Sequence, residues 1–123
     1  MRAPFLLALL CVVTVRSLLA GDITPEDAAK HIGEKVTVRG TVVQATYSKT
    51  KNVYLNFGEK YPNQIFSVAV LSAKTPALLA NGPGWLTELQ GKEIAVTGKI
   101  ELYEGKPQIV LTAREDVNTS PTK

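Results

Sequence analysis

The sequence predicts a mainly β domain: a five-stranded Greek-key barrel with a short N-terminal helix and a helix between strands three and four. Three observations predict it. Alternation of apolar and polar residues, rich in β-branched side chains, recurs in five segments. Two of the segments carry a central glycine, Gly40 in "VTVRGTV" and Gly98 in "IAVTGKI", where a sheet can bend sharply enough to close. Helical signals are confined to two short stretches, one before the first strand and one between the third and fourth. A closed barrel also removes exposed edges, which suits a domain without disulfides.

The 123 residues fit one small domain preceded by a leader. "MRAPFLLALLCVVTVRSLLAGD" has Arg2, an apolar run over residues 4–13, and small residues at Ala20 and Gly21. That is the layout of a secretory signal peptide over residues 1–20, removed near Ala20 or Gly21. The run is short for a bilayer span and Arg16 interrupts it. An uncleaved N-terminal anchor is the competing reading. The expectation is an exported protein, periplasmic or secreted, with no stable membrane insertion after cleavage. Cys11, the single cysteine, lies in the leader, so the mature chain has no disulfide and no thiolate metal ligand. Losing Arg2 and Arg16 takes the 14 basic residues to 12 against 11 acidic ones, a net charge of +1. Within residues 35–74, however, Lys35, Arg39, Lys49, Lys51, Lys60 and Lys74 face only Glu59. A near-neutral chain with one basic stretch points to an oriented site rather than general polyanion binding.

The elements follow in order. "ITPEDAAKHIGEK" reads as a short helix with Thr24 as N-cap, Pro25 at its first position, Asp27 reaching back as in a capping box, and Gly33 as the stop. "KVTVRGTVVQAT" is the first strand, with Val36, Val38, Gly40 and Val42 on one face and Thr37, Arg39, Thr41 and Val43 on the other. "YSKTKN" is a polar loop, "VYLNFG" the second strand, "EKYPN" a turn and "QIFSVAVL" the third strand. "SAKTPALLANGPG" reads as the second helix, capped by Thr75 and closed by Asn81 and Gly82. "GKEIAVTGKIELY" and "PQIVLTA" are strands four and five, joined by the turn "YEGK". Residues 21–115 form the domain, and residues 116–123 are expected to be a disordered tail.

"VTVRGTV" and "GKEIAVTGKIELYEGKPQIVL" resemble the first, fourth and fifth strands of tRNA-anticodon-binding and related nucleic-acid-binding OB domains. "VYLNFGEKYPNQIFSVAVL" is similar to the second and third strands of small exported OB domains that also occur beside thermonuclease-like domains. The resemblance covers residues 22–115. It implies an OB-fold barrel whose face on strands two and three, with the loops joining strands 1–2 and 4–5, receives extended single strands. The acid and arginine residues of thermonuclease-like chemistry have no counterpart here.

An enzyme is not expected. His31, the one histidine, sits on the entry helix, and the acidic residues occupy turns, helix ends and the tail. No spacing supplies a metal site, and no carboxylate pair is forced together as general acid and base. Pro83 deprives "NGPGW" of a backbone N–H, so it reads as a turn rather than a phosphate cradle. No cofactor is expected. Binding has more support. Alternation puts Arg39, Thr41, Tyr54, Asn56 and Ser67 on one face, and the loops add Tyr47, Lys49, Lys51, Tyr103 and Lys106. Rings that stack on bases, interleaved with cations that track phosphates, are what single-strand binding requires. The candidate site is therefore Arg39, Tyr47, Lys49, Lys51, Tyr54, Asn56 and Lys106, with single-stranded DNA or RNA as ligand. Ordinary solvated strand faces would look similar, and an envelope protein or an oligosaccharide is the alternative partner.

Overall fold

The computed structural model describes residues 22–119; the expected signal peptide lies outside them. Among the described residues, seven strands and four short helices follow in chain order. β1 is Asp22–Ile23, β2 Lys35–Tyr47, β3 Val53–Phe57, β4 Phe66–Val70, β5 Glu93–Tyr103, β6 Lys106–Val110 and β7 Val117–Asn118. The 3-10 helices are Pro25–His31, Pro76–Leu79 and Arg114–Asp116, and α1 is Gly84–Thr87.

Strands run β2-β3-β4-β6-β5, and β5 pairs back onto β2, so five strands close into a barrel. β4 and β6 are parallel, and the other barrel pairings are antiparallel. This is the five-stranded Greek-key topology of an OB-fold. The strands expected from the sequence are β2 to β6.

β2 is long because it serves both halves of the barrel. Residues 35–41 pair with β5, and residues from Val42 onward pair with β3. Two close approaches fall on the β2–β5 pair that closes the barrel. A Cβ on Gly40 would meet Pro25 Cγ at 2.6 Å, and one on Gly98 would meet Ile109 Cγ2 at 2.6 Å. Glycine at these positions lets the entry helix and β6 press onto the backbone.

The interior is filled by Val38, Val42, Leu55, Phe57, Phe66, Val68, Ile94, Ile100 and Ile109, all essentially inaccessible. Phe57 and Phe66 are register partners with ring centroids 5.2 Å apart. The Pro25–His31 helix buries Ala28 and packs on β2, β4 and β6, while α1 buries Leu86 and packs on β2 and β3.

Two local expectations change. Both helices introduced by proline are 3-10 rather than α, and neither Thr24 nor Thr75 makes a side-chain cap; Thr75 Oγ1 donates instead to the Leu71 carbonyl at 3.3 Å. These segments are too short to propagate an α-helix on their own bonds. The expected disordered tail is ordered as far as Asn118. Arg114 lies over the Trp85 ring, 4.2 Å from its centroid, and β7 pairs with β5 through Val117↔Val96 and Asn118↔Ala95. A cation–π contact and a ladder with half-buried Val117 supply what the composition alone did not suggest.

Candidate nucleic-acid interface

β3 alternates as its sequence implies. Val53, Leu55 and Phe57 are buried in the core, while Tyr54 and Asn56 point to the outer face. Tyr54 pairs with Thr46 on β2 and Ala69 on β4, and Asn56 pairs with Gln44 and Ser67. Ser67 continues to Gln108 on β6, and Lys106 pairs with Tyr103 on β5. The register thus lays a polar row across four strands.

Gln44 and Thr46 reach this row only through a bulge. The pairing steps from Val42↔Phe57 to Gln44↔Asn56, leaving Val43 as the extra residue. The side-chain alternation of β2 inverts at that point. Uninterrupted alternation would have turned Gln44 and Thr46 inward with Val42.

A cleft of about 570 Å³ opens on this face. Its floor is Gln44, Asn56, Ser67 and Gln108. Its walls are Tyr61, Pro62 and Gln64 from the β3–β4 connection, and Tyr103 and Glu104 from the β5–β6 turn, with Tyr54 beside them. Asn56 is 3% exposed and its Nδ2 donates to Gln44 Oε1 at 2.9 Å; the same oxygen accepts the Tyr61 N–H at 2.9 Å. Tyr54 Oη accepts from Asn52 Nδ2 at 3.3 Å. Lys106 Nζ donates to the carbonyls of Pro62 and Gln64, the latter at 2.9 Å. Glu104 and Gly105 make the β5–β6 turn with positive φ, which sets Tyr103 and Lys106 side by side across the hairpin.

Electrostatics tie the walls together. The Glu104 carboxylate holds the Tyr103 phenol above the usual value of 10.0; burial and the neighbouring Tyr54 and Tyr61 hydroxyls act in the same direction. The Tyr54 and Tyr61 phenols therefore both lie within electrostatic reach of Tyr103.

The structure brings Tyr54, Asn56 and Lys106 into the cleft but separates the other sequence-predicted residues from it. Arg39 and Thr41 do not share the Tyr54 face. They lie on the half of β2 that pairs with β5, opposite Ala95 and Glu93. Arg39 Nε donates to Asp22 Oδ2 at 2.9 Å, tying β1 to the barrel. Tyr47 is exposed but lies opposite buried Val53, so its register faces away from the Thr46–Tyr54 row. Lys49 and Lys51 are exposed on the β2–β3 loop, outside the lining, and Lys51 has φ 68°. That loop meets the cleft through Asn52, which also accepts the Ser72 N–H at 2.9 Å. Tyr61, Gln64 and Gln108 line the cleft without having been singled out. Gln108 was readable as the outward residue between buried Pro107 and Ile109.

Elsewhere, His31 Nδ1 lies 2.9 Å from Glu34 Oε1 at the surface. Among the described residues, no group of His, Cys, Asp and Glu side chains could hold a metal ion, and no helix is long and apolar enough to cross a membrane.

No protein-family model matches the sequence, and no curated protein sequence matches it either. Solved structures do. An OBody, AM2EP06, described as bound to hen egg-white lysozyme, superposes with a TM-score of 0.57 at 14% identity, covering 79% of this chain and 90% of its own. A protein described as an aspartyl-tRNA synthetase of Leishmania major Friedlin matches with a TM-score of 0.52 at 6% identity over 80% of this chain. The asparaginyl-tRNA synthetase of Pyrococcus horikoshii matches with a TM-score of 0.50 at 13% identity over 74% of this chain. The match takes in only 20% and 21% of those two synthetases. At these identities the likeness is one of fold, and together with the closed barrel it makes the domain an OB-fold.

Proposed function

We propose that the chain is an exported, non-catalytic OB-fold module that binds a short stretch of single-stranded nucleic acid. Bases enter the cleft between Tyr54, Tyr61 and Tyr103, and the phosphates run toward Lys49 and Lys51. The observation that carries this reading is the convergence of three tyrosines over a floor of amide and hydroxyl groups on one barrel face. Aromatic faces stack on any base, while amides offer both donors and acceptors to base edges. Asn52, in the loop that carries Lys49 and Lys51, bonds to Tyr54, and that link supports a role for these two cations beside the cleft. The similarity of the fold to segments of two tRNA synthetases agrees with this ligand class.

An envelope oligosaccharide is the second reading. The near-neutral lining favours it: the cleft's cation, Lys106, is engaged by carbonyls, and Glu104 stands in the wall. Sugars stack on tyrosine and bond to amides without needing phosphate contacts.

Fluorescence anisotropy with labelled single-stranded DNA and RNA, and a duplex control, separates the two. Two phosphate contacts give a slope of log K against log salt of about −1.4. Single-strand binding with such a slope is expected. Absence of oligonucleotide binding at low salt, with salt-indifferent binding of an oligosaccharide, would replace the first reading by the second.

A further inference from the structure

The connection between β3 and β4 is more than a turn. Residues 58–65 form a strap across the outer face, and its tip has no apolar anchor: Tyr61, Pro62 and Asn63 are all exposed. Gly58, with φ +88°, starts it; a side chain there would be both strained and in collision with Ile65, whose Cγ1 lies 2.5 Å from the Cβ position. Ile65 N–H returns to the Phe57 carbonyl at 3.0 Å, closing the base. Over the cleft itself the strap is held by two side chains of the barrel. Gln44 accepts the Tyr61 N–H, and Lys106 donates to the carbonyls of Pro62 and Gln64.

We propose that Lys106 is a positioning residue, fastening this strap so that Tyr61 walls the cleft, rather than a cation that takes a ligand phosphate. This deepens the binding reading above and rests on it. An ammonium has three donors, and two of them here serve strap carbonyls. Lys106 is half-buried beneath the strap, whereas Lys49 and Lys51 are exposed. The cleft centre is therefore left to neutral polar and aromatic groups, and it accepts a base or another uncharged ring more readily than a phosphate. Without the tie, the strap spends only part of its time with Tyr61 against the cleft. Affinity then falls in proportion to the competent fraction, about tenfold if that fraction is one tenth.

The test has an arm that needs no ligand. Amide hydrogen exchange is measured on the free protein for Tyr61 and Ile65, in the parent, Lys106→Met and Lys106→Arg. Lys106→Met is expected to speed exchange at Tyr61 about tenfold, while Lys106→Arg, which keeps the charge and several donors, stays near the parent. In the second arm, affinity for a labelled oligothymidine of roughly ten nucleotides is measured across salt. Lys106→Met is expected to weaken binding about tenfold at an unchanged salt slope. Parental exchange rates together with a slope flattened by about 0.7 would make Lys106 a phosphate contact and overturn the proposal. If thermal unfolding shows that Lys106→Met does not fold, both arms are read on Lys106→Gln. If the parent binds no oligonucleotide, the nucleic-acid reading fails, while the exchange rates still decide the role of Lys106.

Discussion

Ile109 on β6 packs directly against the backbone of Gly98 on β5: a Cβ added at Gly98 would lie 2.6 Å from Ile109 Cγ2. No methyl fits there without a shift, and Ile109 is a fully buried, β-branched neighbour with little freedom to yield. Gly98→Ala is therefore expected to destabilise the protein by about 1–3 kcal/mol, and Gly98→Val by more. The substitution should cost less when Ile109→Ala has already removed the obstructing methyl. Chemical denaturation of the two single variants and the double variant checks this. Equal costs in both backgrounds would mean that the contact does not set the closure of the barrel.

Arg39 and the loop lysines should separate cleanly. Arg39 pairs with Asp22 on a half-buried flank of the barrel, so Arg39→Ala is expected to lower stability by up to about 1 kcal/mol and leave oligonucleotide affinity unchanged. Replacing Lys49 and Lys51 together should do the reverse: unchanged thermal unfolding and a salt slope flattened by about 1.4. A flattened slope for Arg39→Ala would return that residue to the interface.

The Tyr103 phenol gives a ligand-free probe of the cleft wall. The Glu104 carboxylate opposes formation of a phenolate beside it, so Glu104→Gln should bring the Tyr103 pKa down toward 10.0. The raised value also fixes the sign of the linkage. Any stability tied to this group is complete below pH 10.0 and declines as pH rises through the raised pKa. NMR titration of the tyrosine rings in parent and variant reads the shift. An unmoved Tyr103 would mean that Glu104 does not hold its carboxylate against that ring.

Much of the barrel was legible because its signals are local. Alternation in β3 and β5 gave both the strands and their inward faces, and the two mid-strand glycines marked places where neighbouring side chains press onto the sheet. The outward placement of Tyr54 and Asn56 followed from the same alternation. What was not legible depends on non-local geometry. The bulge at Val43 inverts the second half of β2, so Gln44 and Thr46 enter the cleft while Arg39, seven residues before Thr46, falls on another flank. Tyr61 becomes a cleft wall only because Lys106 and Gln44, distant in sequence, hold the strap over the sheet. Arg114 similarly finds Trp85 only in the folded chain, and that contact orders a segment whose composition reads as tail.

The central claim is that the tyrosine-walled cleft, rather than exposed aromatic surface in general, receives the ligand. Tyr54 and Tyr47 test it against each other, since they sit on the same barrel edge and face opposite ways. The measurement is anisotropy of a labelled single-stranded oligonucleotide with the parent, Tyr54→Ala, Tyr54→Phe and Tyr47→Ala, each first shown to be folded by thermal unfolding. Tyr54→Ala is expected to weaken binding by about 1–3 kcal/mol at every salt concentration, Tyr54→Phe to retain affinity because the ring remains, and Tyr47→Ala to bind as the parent does. Loss of affinity in Tyr47→Ala with Tyr54→Ala unchanged would contradict the claim.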